Sequence, residues 1–161
     1  MERMSELERR IQALEDVEAI KRLKYRYMRG IDEKRWEQIE ACFVPDATCA
    51  YSGGKYAFSG RDAIMKFLTE SMARPTFLSS HRITQPEIDL TSDTTATGIW
   101  ALEDYVIDEQ YGLTIHGAAF YRDKYVKVDG EWKIQHTGYT RTFEQMQPRK
   151  DRGWNITQRG F

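Results

Sequence analysis

Two side chains in this sequence have types that suit proton transfer. His81 lies in the segment Phe77–Leu90, whose hydrophobic residues predict a β-strand, directly after two serines. An imidazole with an ordinary pKa of about 6.5 accepts and returns a proton at neutral pH. A carboxylate partner fixes the imidazole tautomer and stabilises the imidazolium that forms. Asp32 is one candidate for that partner, and the alternative is that His81 is a hydrogen-bonded structural histidine.

Asp32 and two tyrosines each have a second, structural interpretation. Asp32 follows Gly30 in the segment GID, where Asp is a favoured N-cap, although one carboxylate can cap a helix and also face an imidazole. Tyr27 precedes Asp32 on a predicted helix, where a tyrosine is usually part of the core. If its hydroxyl points into a pocket, Tyr27 can donate a hydrogen bond to a carbonyl or enolate oxygen. The same two interpretations hold for Tyr51.

Charged residues on later predicted strands are further candidates for a binding site. Glu103 and Asp104 are adjacent, so strand alternation turns one of them inward, where a carboxylate needs a partner. The alternative is an exposed pair on the strand. Arg141 can pair with a carboxylate of the protein or of a substrate. His116 precedes the small residues of segment 117–119, which leave room for a ligand beside the strand.

The composition excludes several classes of function. A chain of 161 residues, 40% hydrophobic and 30% charged, fits one globular domain, and a net charge of −1 provides no field for nucleic acid or membrane. Its 20 aromatic residues (four Trp, nine Tyr, seven Phe) suffice to line a pocket for a flat hydrophobic ligand. The three histidines lack HxH or HxxxH spacing, so we expect no metal, and His136 is interpreted as structural. GxGxxG, Walker and GxSxG motifs are missing, so we expect no nucleotide cofactor.

The cysteines and the first residues indicate the compartment. Cys42 and Cys49 lack CxxC spacing, which predicts free thiols in a reducing environment. The opening segment MERMSELERR has no hydrophobic run of a signal peptide, and no segment approaches the roughly 20 apolar residues of a membrane span. We therefore expect a cytoplasmic protein.

Hydrophobic periodicity predicts three helices before most of the strands. A capping box at Ser5 and Glu8 starts the first helix, in which hydrophobic residues recur at steps of three or four up to Tyr27. Asp16 can restart this helix, which would make its first turns an arm. Gly30 is predicted to end it. A second helix is predicted over residues 32–43 with Pro45 after it, and a third follows Ser59 or Gly60 in the segment SGRDAIMKFLTESMA.

The remaining pattern predicts one hairpin and four long antiparallel strands. The segment ATCAYSGGKYAFSG predicts two short strands around Gly53 and Gly54. The long strands are expected at Phe77–Leu90, Thr94–Ile107, Leu113–Val128 and Glu131–Phe143. A bulge at Gly138 is predicted because the inward parity changes there. Helices followed by a curled antiparallel sheet predict an α+β domain shaped as a cup, with the tail Gln147–Phe161 over its mouth or on a neighbouring subunit.

The segments YMRGID, AYSGGKYAF, SSHR, TATGIWALED and GAAFYRDKYVKVDGEWKIQHTGYTR resemble the SnoaL-like branch of the nuclear transport factor 2-like superfamily. Within it the chain is similar to the bile acid 7-alpha-dehydratases and, more distantly, to scytalone dehydratases and lindane dehydrochlorinases. This resemblance covers residues 16–144. It implies a single domain over residues 1–161, with a cone-shaped barrel of highly curved antiparallel sheet around N-terminal helices, a helical arm and a C-terminal tail. It also implies a homo-oligomer, with a trimer favoured, and no cofactor.

The resemblance also assigns residues to a site. The catalytic Tyr, Asp and His of the dehydratases match Tyr27, Asp32 and His81, and their pocket residues match Tyr51, Asp104 and Arg141. The chain departs from the family at His116, where the bile acid enzymes have Asn, while scytalone dehydratases have a second pocket histidine. This departure puts a bile acid substrate in doubt.

The implied reaction is elimination of water from a carbonyl-activated cyclic alcohol that is polycyclic, steroid-like or aromatic. His81, aided by Asp32, removes the acidic C–H proton while Tyr27 and Tyr51 bind the carbonyl oxygen. Protonated His81, or Asp104 through a water, returns a proton to the leaving hydroxyl. The alternatives are a ketosteroid-type isomerase, a dehydrohalogenase, a polyketide cyclase, or a non-catalytic module such as a ligand-binding domain or a ring-hydroxylase small subunit.

Overall fold

A computed structural model describes residues 5–150 and 155–160, and it has the predicted α+β class. The helices are α1 (Glu6–Asp32), α2 (Trp36–Glu40) and α3 (Arg61–Met72). The strands are β1 (Phe43–Tyr51), β2 (Tyr56–Ser59), β3 (Phe77–Leu90), β4 (Thr95–Asp108), β5 (Leu113–Val128) and β6 (Glu131–Pro148). Residues 151–154 and 161 of the predicted tail lie outside the described residues.

The first helix begins as predicted but ends later. The Ser5 hydroxyl accepts a hydrogen bond from the Glu8 backbone N–H, and the Glu8 carboxylate accepts one from the Ser5 N–H. The helix is unbroken at Asp16 and continues through Gly30, so the prediction that Gly30 ends it is wrong. A Cβ at Gly30 would lie 2.7 Å from Cγ1 of Ile39. Glycine is therefore needed here for close packing of α1 against α2.

The second helix is much shorter than predicted. Its N-cap is Arg35, so the prediction that Asp32 caps it is wrong. Phe43 and Pro45 already belong to β1, since Phe43 pairs with Ile134 of β6 and the Ile134 N–H donates to the Cys42 carbonyl. Pairing with a strand from the far end of the chain thus limits the helix to residues 36–40.

The six strands form one sheet in the order β2-β1-β6-β5-β4-β3. Neighbouring strands are antiparallel except β1 and β6, which are parallel, so the sheet is mixed rather than wholly antiparallel. The order has two ends and the sheet does not close into a complete barrel. Helix α1 packs against both β3 and β6, which are separated by two strands, so the sheet curls around this helix.

The change of parity in β6 is present, but the predicted bulge at Gly138 is wrong. The register between β5 and β6 shifts between Ile134 and His136, and again between Arg141 and Phe143. Gly138 has a different role, because a Cβ there would lie 2.6 Å from the Ala50 carbonyl oxygen. The glycine allows β1 to approach β6.

A polar contact ties the first helix to the hairpin formed by β5 and β6. Asp16 is 7% exposed and accepts hydrogen bonds from Lys127 Nζ at 2.8 Å and from Trp132 Nε1 at 2.9 Å.

The hydrophobic core lies between α1, α3 and the inner face of the sheet, with Ile20, Ile64 and Trp100 fully buried. Over the ranges described above, none of the helices is both long enough and hydrophobic enough to span a membrane.

Candidate active site

Asp32 and His81 meet where the end of α1 packs against β3. His81 Nδ1 lies 2.7 Å from Asp32 Oδ1, and Ser79 Oγ donates to the same oxygen at 2.8 Å. The backbone N–H of His81 donates to Asp32 Oδ2, also at 2.8 Å. Because side chains two apart on a strand share a face, Ser79 and His81 both reach this carboxylate. The two residues that the sequence proposes as partners are in direct contact.

This contact decides how His81 presents its two ring nitrogens. An ionised carboxylate only accepts hydrogen bonds, so in the neutral imidazole this contact assigns the proton to Nδ1 and leaves the lone pair on Nε2. The side chain is 11% exposed and lines a cavity. Within residues 5–150 and 155–160, no group hydrogen-bonds to Nε2. Nε2 is therefore the atom that can take a proton from a molecule in the cavity.

The cavity has two adjoining parts. The inner cavity has a volume of about 130 Å³, and its lining includes Tyr27, Tyr51, Leu68, His81 and Tyr121. The outer cavity has about 460 Å³ and shares six lining residues with the inner one. The shared residues are Tyr56, Phe67, Ser71, Met72, His81 and Tyr139. An apolar cavity of about 150 Å³ holds one benzene ring, so the inner cavity has room for about one six-membered ring.

Tyr27 and Tyr51 form a hydroxyl pair in the wall of the inner cavity. Their oxygens are 2.8 Å apart, and the two side chains are 1% and 4% exposed. Burial, followed by the interaction with the neighbouring Tyr51, raises the pKa of Tyr27 well above its ordinary value of 10. Burial likewise raises the pKa of Tyr51 well above 10. Both hydroxyls stay protonated, and since they share one hydrogen bond, one proton remains available for an oxygen in the cavity.

Asp104 and Arg141 form a charged pair in the wall of the outer cavity. Asp104 is the inward member of its pair, at 4% exposure, and Glu103 is exposed. Both Asp104 oxygens accept hydrogen bonds from Arg141, with Nη2 to Oδ2 at 2.9 Å. Burial disfavours the charge on Arg141, but these hydrogen bonds raise its pKa above the ordinary value. Gly117 provides the room, because a Cβ there would lie 2.6 Å from Arg141 Nη1.

The charged pair is also close to the catalytic candidates. Asp104 stands directly opposite His81 across the β3–β4 ladder and opposite Gly117 across the β4–β5 ladder. Arg141 Nε lies 3.1 Å from a Glu144 carboxylate oxygen but is not aligned to donate a hydrogen bond to it. The guanidinium therefore gives its aligned hydrogen bonds to Asp104.

The family model described as the SnoaL-like domain matches residues 12–138. The chain belongs to this family. The SnoaL-like fold is shared by enzymes and by other proteins, so its chemistry has to be argued from the site.

Solved structures similar to this SnoaL-like protein include proteins named as a dehydratase and as a dehydrochlorinase. A proposed scytalone dehydratase from Novosphingobium aromaticivorans is 27% identical, with a TM-score of 0.77 over 83% of this chain and 89% of that one. The hexachlorocyclohexane dehydrochlorinase LinA type 2 is 18% identical, with a TM-score of 0.78 over 94% of this chain and 99% of that one. A proposed aromatic ring hydroxylase from N. aromaticivorans is 19% identical, with a TM-score of 0.75 over 84% and 94% of the two chains. At 18% and 19% identity the likeness shows the fold alone.

The structure does not bring His116 to the SnoaL-like cavity. Its Nε2 lies 3.1 Å from Glu103 Oε1 on the outer face of the sheet. On β5 the buried positions include Gly117, Ala119 and Tyr121, so the parity that carries His116 points outward. His136 Nδ1 and Thr48 Oγ1 share a hydrogen bond of 2.7 Å, which fits the structural interpretation of His136.

Two tyrosines of the SnoaL-like site were missed by the sequence reasoning. Tyr121 lines the inner cavity and Tyr139 lines both cavities. The available signal was that Tyr121 and Tyr125 share one face of the strand while the charged Arg122 and Lys124 share the other. His116 shares the strand face of Arg122 and Lys124. This pattern would therefore have predicted an outward His116 and an inward Tyr121.

Proposed function

We propose that this protein is a cofactor-independent lyase that removes water from a carbonyl-activated polycyclic, steroid-like or aromatic alcohol. The observation that carries the proposal is the Asp32–His81 contact, which leaves His81 Nε2 facing a cavity that also contains the Tyr27–Tyr51 pair. These groups supply a base and a neutral hydrogen-bond donor, the two functions that elimination next to a carbonyl requires.

In the proposed reaction the substrate carbonyl accepts a hydrogen bond from the tyrosine pair. His81 Nε2 removes a proton from the carbon next to the carbonyl, and the electron pair of that C–H bond moves toward the carbonyl to form an enolate. The imidazolium is stabilised by Asp32. When the enolate collapses, the bond to the leaving hydroxyl breaks and His81 returns its proton, which gives an alkene conjugated with the carbonyl and one molecule of water.

The charged pair is assigned a binding role in this proposal. Asp104 is the alternative acid for the leaving hydroxyl, but both of its oxygens accept hydrogen bonds from Arg141. This bonding supports His81 as the group that returns the proton. Asp104 and Arg141 instead provide polar contacts for the part of the substrate that occupies the outer cavity.

The tyrosine pair also bears on the alternative reactions. Loss of halide from an alkyl halide needs a base but no carbonyl-binding donor, whereas a carbonyl substrate uses the protonated Tyr27 and Tyr51. Isomerisation of a ketone and cyclisation of a polyketide need the same base and donor without a leaving hydroxyl. A non-catalytic ligand-binding role needs neither.

Product analysis tests the proposed reaction. The purified protein would be incubated with single-ring and fused-ring β-hydroxy ketones, their dehydroxy analogues, β-chloro ketones and β,γ-unsaturated ketones. We expect conjugated enones from the hydroxy ketones, detected by ultraviolet absorbance and mass, and no enone from the His81→Ala variant. Turnover of only the chloro or the β,γ-unsaturated ketones would replace dehydration by one of the alternatives. Activity that persists in the variant would remove His81 as the base.

We also propose a setting for the enzyme. The outer face of the sheet carries three exposed aromatic residues and one half-buried histidine, here named the outer-face patch and made up of Tyr105, His116, Phe120 and Phe143. An exposed apolar patch of this kind supports association of identical subunits, and a trimer is the proposed assembly. Cys42 and Cys49 are both free, which supports a reducing, cytoplasmic location.

A further inference from the structure

A fully buried ion pair lies beside the inner cavity. Lys24 Nζ is 2.7 Å from Asp123 Oδ2, and both side chains are 0% exposed. Taking two charges out of water is costly, and hydrophobic residues of similar size often serve stability equally well. The reaction proposed above makes no use of either charge. The pair therefore calls for a role beyond packing.

The ammonium of this pair holds tyrosine rings of the cavity. Lys24 Nζ lies 3.6 Å from the centroid of the Tyr121 ring and 5.0 Å from that of the Tyr27 ring. It also donates a hydrogen bond to Thr137 Oγ1 at 3.1 Å. A cation over the face of an aromatic ring attracts it, most strongly where water is excluded. Lys24 thus holds the Tyr121 ring by contact with one face of the ring, and because Lys24 is fully buried it cannot itself touch a ligand.

The carboxylate of the pair accepts a second hydrogen bond at the same oxygen that faces Lys24. The Tyr125 hydroxyl donates to Asp123 Oδ2 at 2.7 Å and accepts a hydrogen bond from Trp100 Nε1 at 2.9 Å. Neither Tyr125 nor Trp100 lines the inner or the outer cavity. The ammonium is therefore the end of the pair that contacts cavity residues, and the carboxylate holds it in place.

The Tyr121 hydroxyl has a free proton for a ligand. Over residues 5–150 and 155–160 the Tyr121 hydroxyl makes no hydrogen bond, and its oxygen is not fully sealed from solvent. Since Tyr121 lines the inner cavity, its hydroxyl opens into that space. Burial, followed by the nearby Tyr27 and Tyr139, raises the pKa of Tyr121 well above 10. The group is a neutral donor close to the Tyr27–Tyr51 pair.

We infer that Tyr121 is an additional hydroxyl donor to the substrate oxygen, and that Lys24 is a positioning residue that acts through Tyr121. This inference rests on the proposed function only for the identity of that oxygen, a carbonyl that becomes an enolate. Two donors aimed at one developing oxyanion stabilise it more than one does. The geometry itself predicts binding of any small ring that carries an anionic oxygen.

Binding of 4-nitrophenol tests the role of Tyr121 without requiring turnover. This probe has one ring, and its neutral and ionised forms absorb at different wavelengths, so its pKa can be read in the bound state. We expect the wild-type protein to lower the pKa of bound 4-nitrophenol below its value in water. Tyr121→Phe should raise the bound pKa by about one unit, since one hydrogen bond to a charged oxygen is lost. Tyr111→Phe, at an exposed tyrosine outside both cavities, should leave it unchanged.

A double-mutant cycle tests whether Lys24 acts through Tyr121. Lys24→Met alone would leave Asp123 as an unpaired buried charge, so the variant to use is Lys24→Met with Asp123→Asn. We expect this double variant to raise the bound pKa of 4-nitrophenol in the wild-type background and to add nothing further in the Tyr121→Phe background. Near-ultraviolet circular dichroism checks that each variant is folded, and Tyr121→Phe alone tests the donor if the charge-deleted protein does not fold.

Each outcome decides the inference separately from the proposed reaction. A bound pKa in Tyr121→Phe equal to that of the wild type would overturn the donor role, as would wild-type protein that fails to lower the pKa of the probe. Equal shifts from the Lys24 and Asp123 changes in both backgrounds would overturn the positioning role. Failure to dehydrate any β-hydroxy ketone would refute the proposed function and leave these results on the probe unaffected.

Discussion

The imidazole of His81 is useful as a base because Asp32 occupies its other nitrogen. Three hydrogen bonds hold that carboxylate, from the His81 ring, the His81 backbone and Ser79. With Nδ1 engaged in this way, the position and the tautomer of the ring are both fixed. This carboxylate belongs to the last residue of α1, so its placement depends on α1 as well as on β3.

Asp32→Asn should strongly reduce turnover while leaving the protein folded. The amide has one acceptor oxygen in place of two, so either one of its N–H groups opposes a donor of His81 or Ser79, or Nδ1 accepts a hydrogen bond and the tautomer changes. In every case the charge that stabilises the imidazolium is lost. We expect kcat on the β-hydroxy ketone identified by product analysis to fall by about 100- to 10,000-fold. Asp89→Asn, at an exposed position of the same strand, is the control and should retain activity. Near-normal kcat in Asp32→Asn would contradict the proposed mechanism.

His136 should make the stability of the protein sensitive to mild acid. Burial is the largest cause that lowers the pKa of His136 below its ordinary 6.5, so the unfolded chain binds the proton at a higher pH than the folded protein does. The free energy of unfolding should therefore fall as pH decreases from about 6.5 through the lower folded pKa, and this contribution should level off below it. Urea unfolding at a series of pH values measures the effect.

The matching variant for this measurement is His136→Gln. It should show a shallower loss of unfolding free energy over the same pH range, because glutamine does not titrate. The other acidic and basic groups are common to both proteins, so the difference between the two curves reports His136 alone. Parallel curves for wild type and variant would show that His136 does not carry the pH dependence.

At the scale of elements, the contact between α1 and α2 determines where Asp32 stands. Gly30 lies two residues before it, and any side chain at that position meets Ile39. Alanine is normally the better helix residue by up to about 1 kcal/mol, but here overpacking should outweigh that preference. The close approach of two helices thus has a direct effect on the geometry of the site.

Gly30→Ala should lower the free energy of unfolding by about 1–3 kcal/mol and reduce kcat, because α1 must shift to accommodate the new methyl group. Denaturant unfolding and turnover of the β-hydroxy ketone measure the two effects. Ile39→Ala removes the side-chain atoms that this methyl group would meet. The double variant should therefore lose less stability than the sum of the two single losses, and strictly additive losses would show that the contact is not the cause.

Local patterns predicted most elements because each of them depends on nearby residues. The bounds of β3 and β5 agree at both ends, and the capping box, the hairpin and the third helix lie where the turn and cap residues indicate. The errors occurred where a distant segment decides. Gly30 lies inside α1, where it packs closely against Ile39 of α2. Phe43 belongs to a strand because it pairs with β6, and Gly138 is small because β1 lies against it.

The site shows the same division. The pairing of Asp32 with His81 was expected from residue types, and the structure has it. Strand alternation expected one of Glu103 and Asp104 to face inward without deciding which, the resemblance pointed to Asp104, and Asp104 is the buried one. The inward face of β5 was not, because Gly117, Ala118 and Ala119 are all small and give no hydrophobic contrast that sets parity. Tyr121 takes the inward place, while His116 lies on the outer-face patch.

At the scale of the whole molecule, the outer-face patch is the surface on which subunit association is expected. Tyr105, Phe120 and Phe143 are 38%, 45% and 48% exposed. They lie on the convex side of the sheet, and none of them lines either cavity. A lysine placed among them would have to be desolvated in an interface. The assembly can therefore be changed without altering the residues assigned to catalysis.

Phe120→Lys should convert the proposed trimer to monomer at equal protein concentration, as measured by light scattering during size-exclusion chromatography. Leu14→Lys is the matched comparison, since Leu14 is an exposed hydrophobic residue of α1 outside the patch. We expect that change to leave the mass unaltered. A wild-type protein that is monomeric, or dissociation by Leu14→Lys but not by Phe120→Lys, would contradict the assignment of the interface.

The parallel pairing of β1 with β6 has a consequence for how this protein is made. Ala50 of β1 stands opposite Gly138 of β6. During synthesis β1 therefore emerges long before the strand with which it pairs in parallel. Tyr51, directly after Ala50, cannot be held beside Tyr27 until the ribosome has released most of the polypeptide. Contacts of such long sequence separation form slowly. A nascent chain stopped before β6 would therefore contain Asp32 and His81 but lack the neighbouring strand that secures Tyr51.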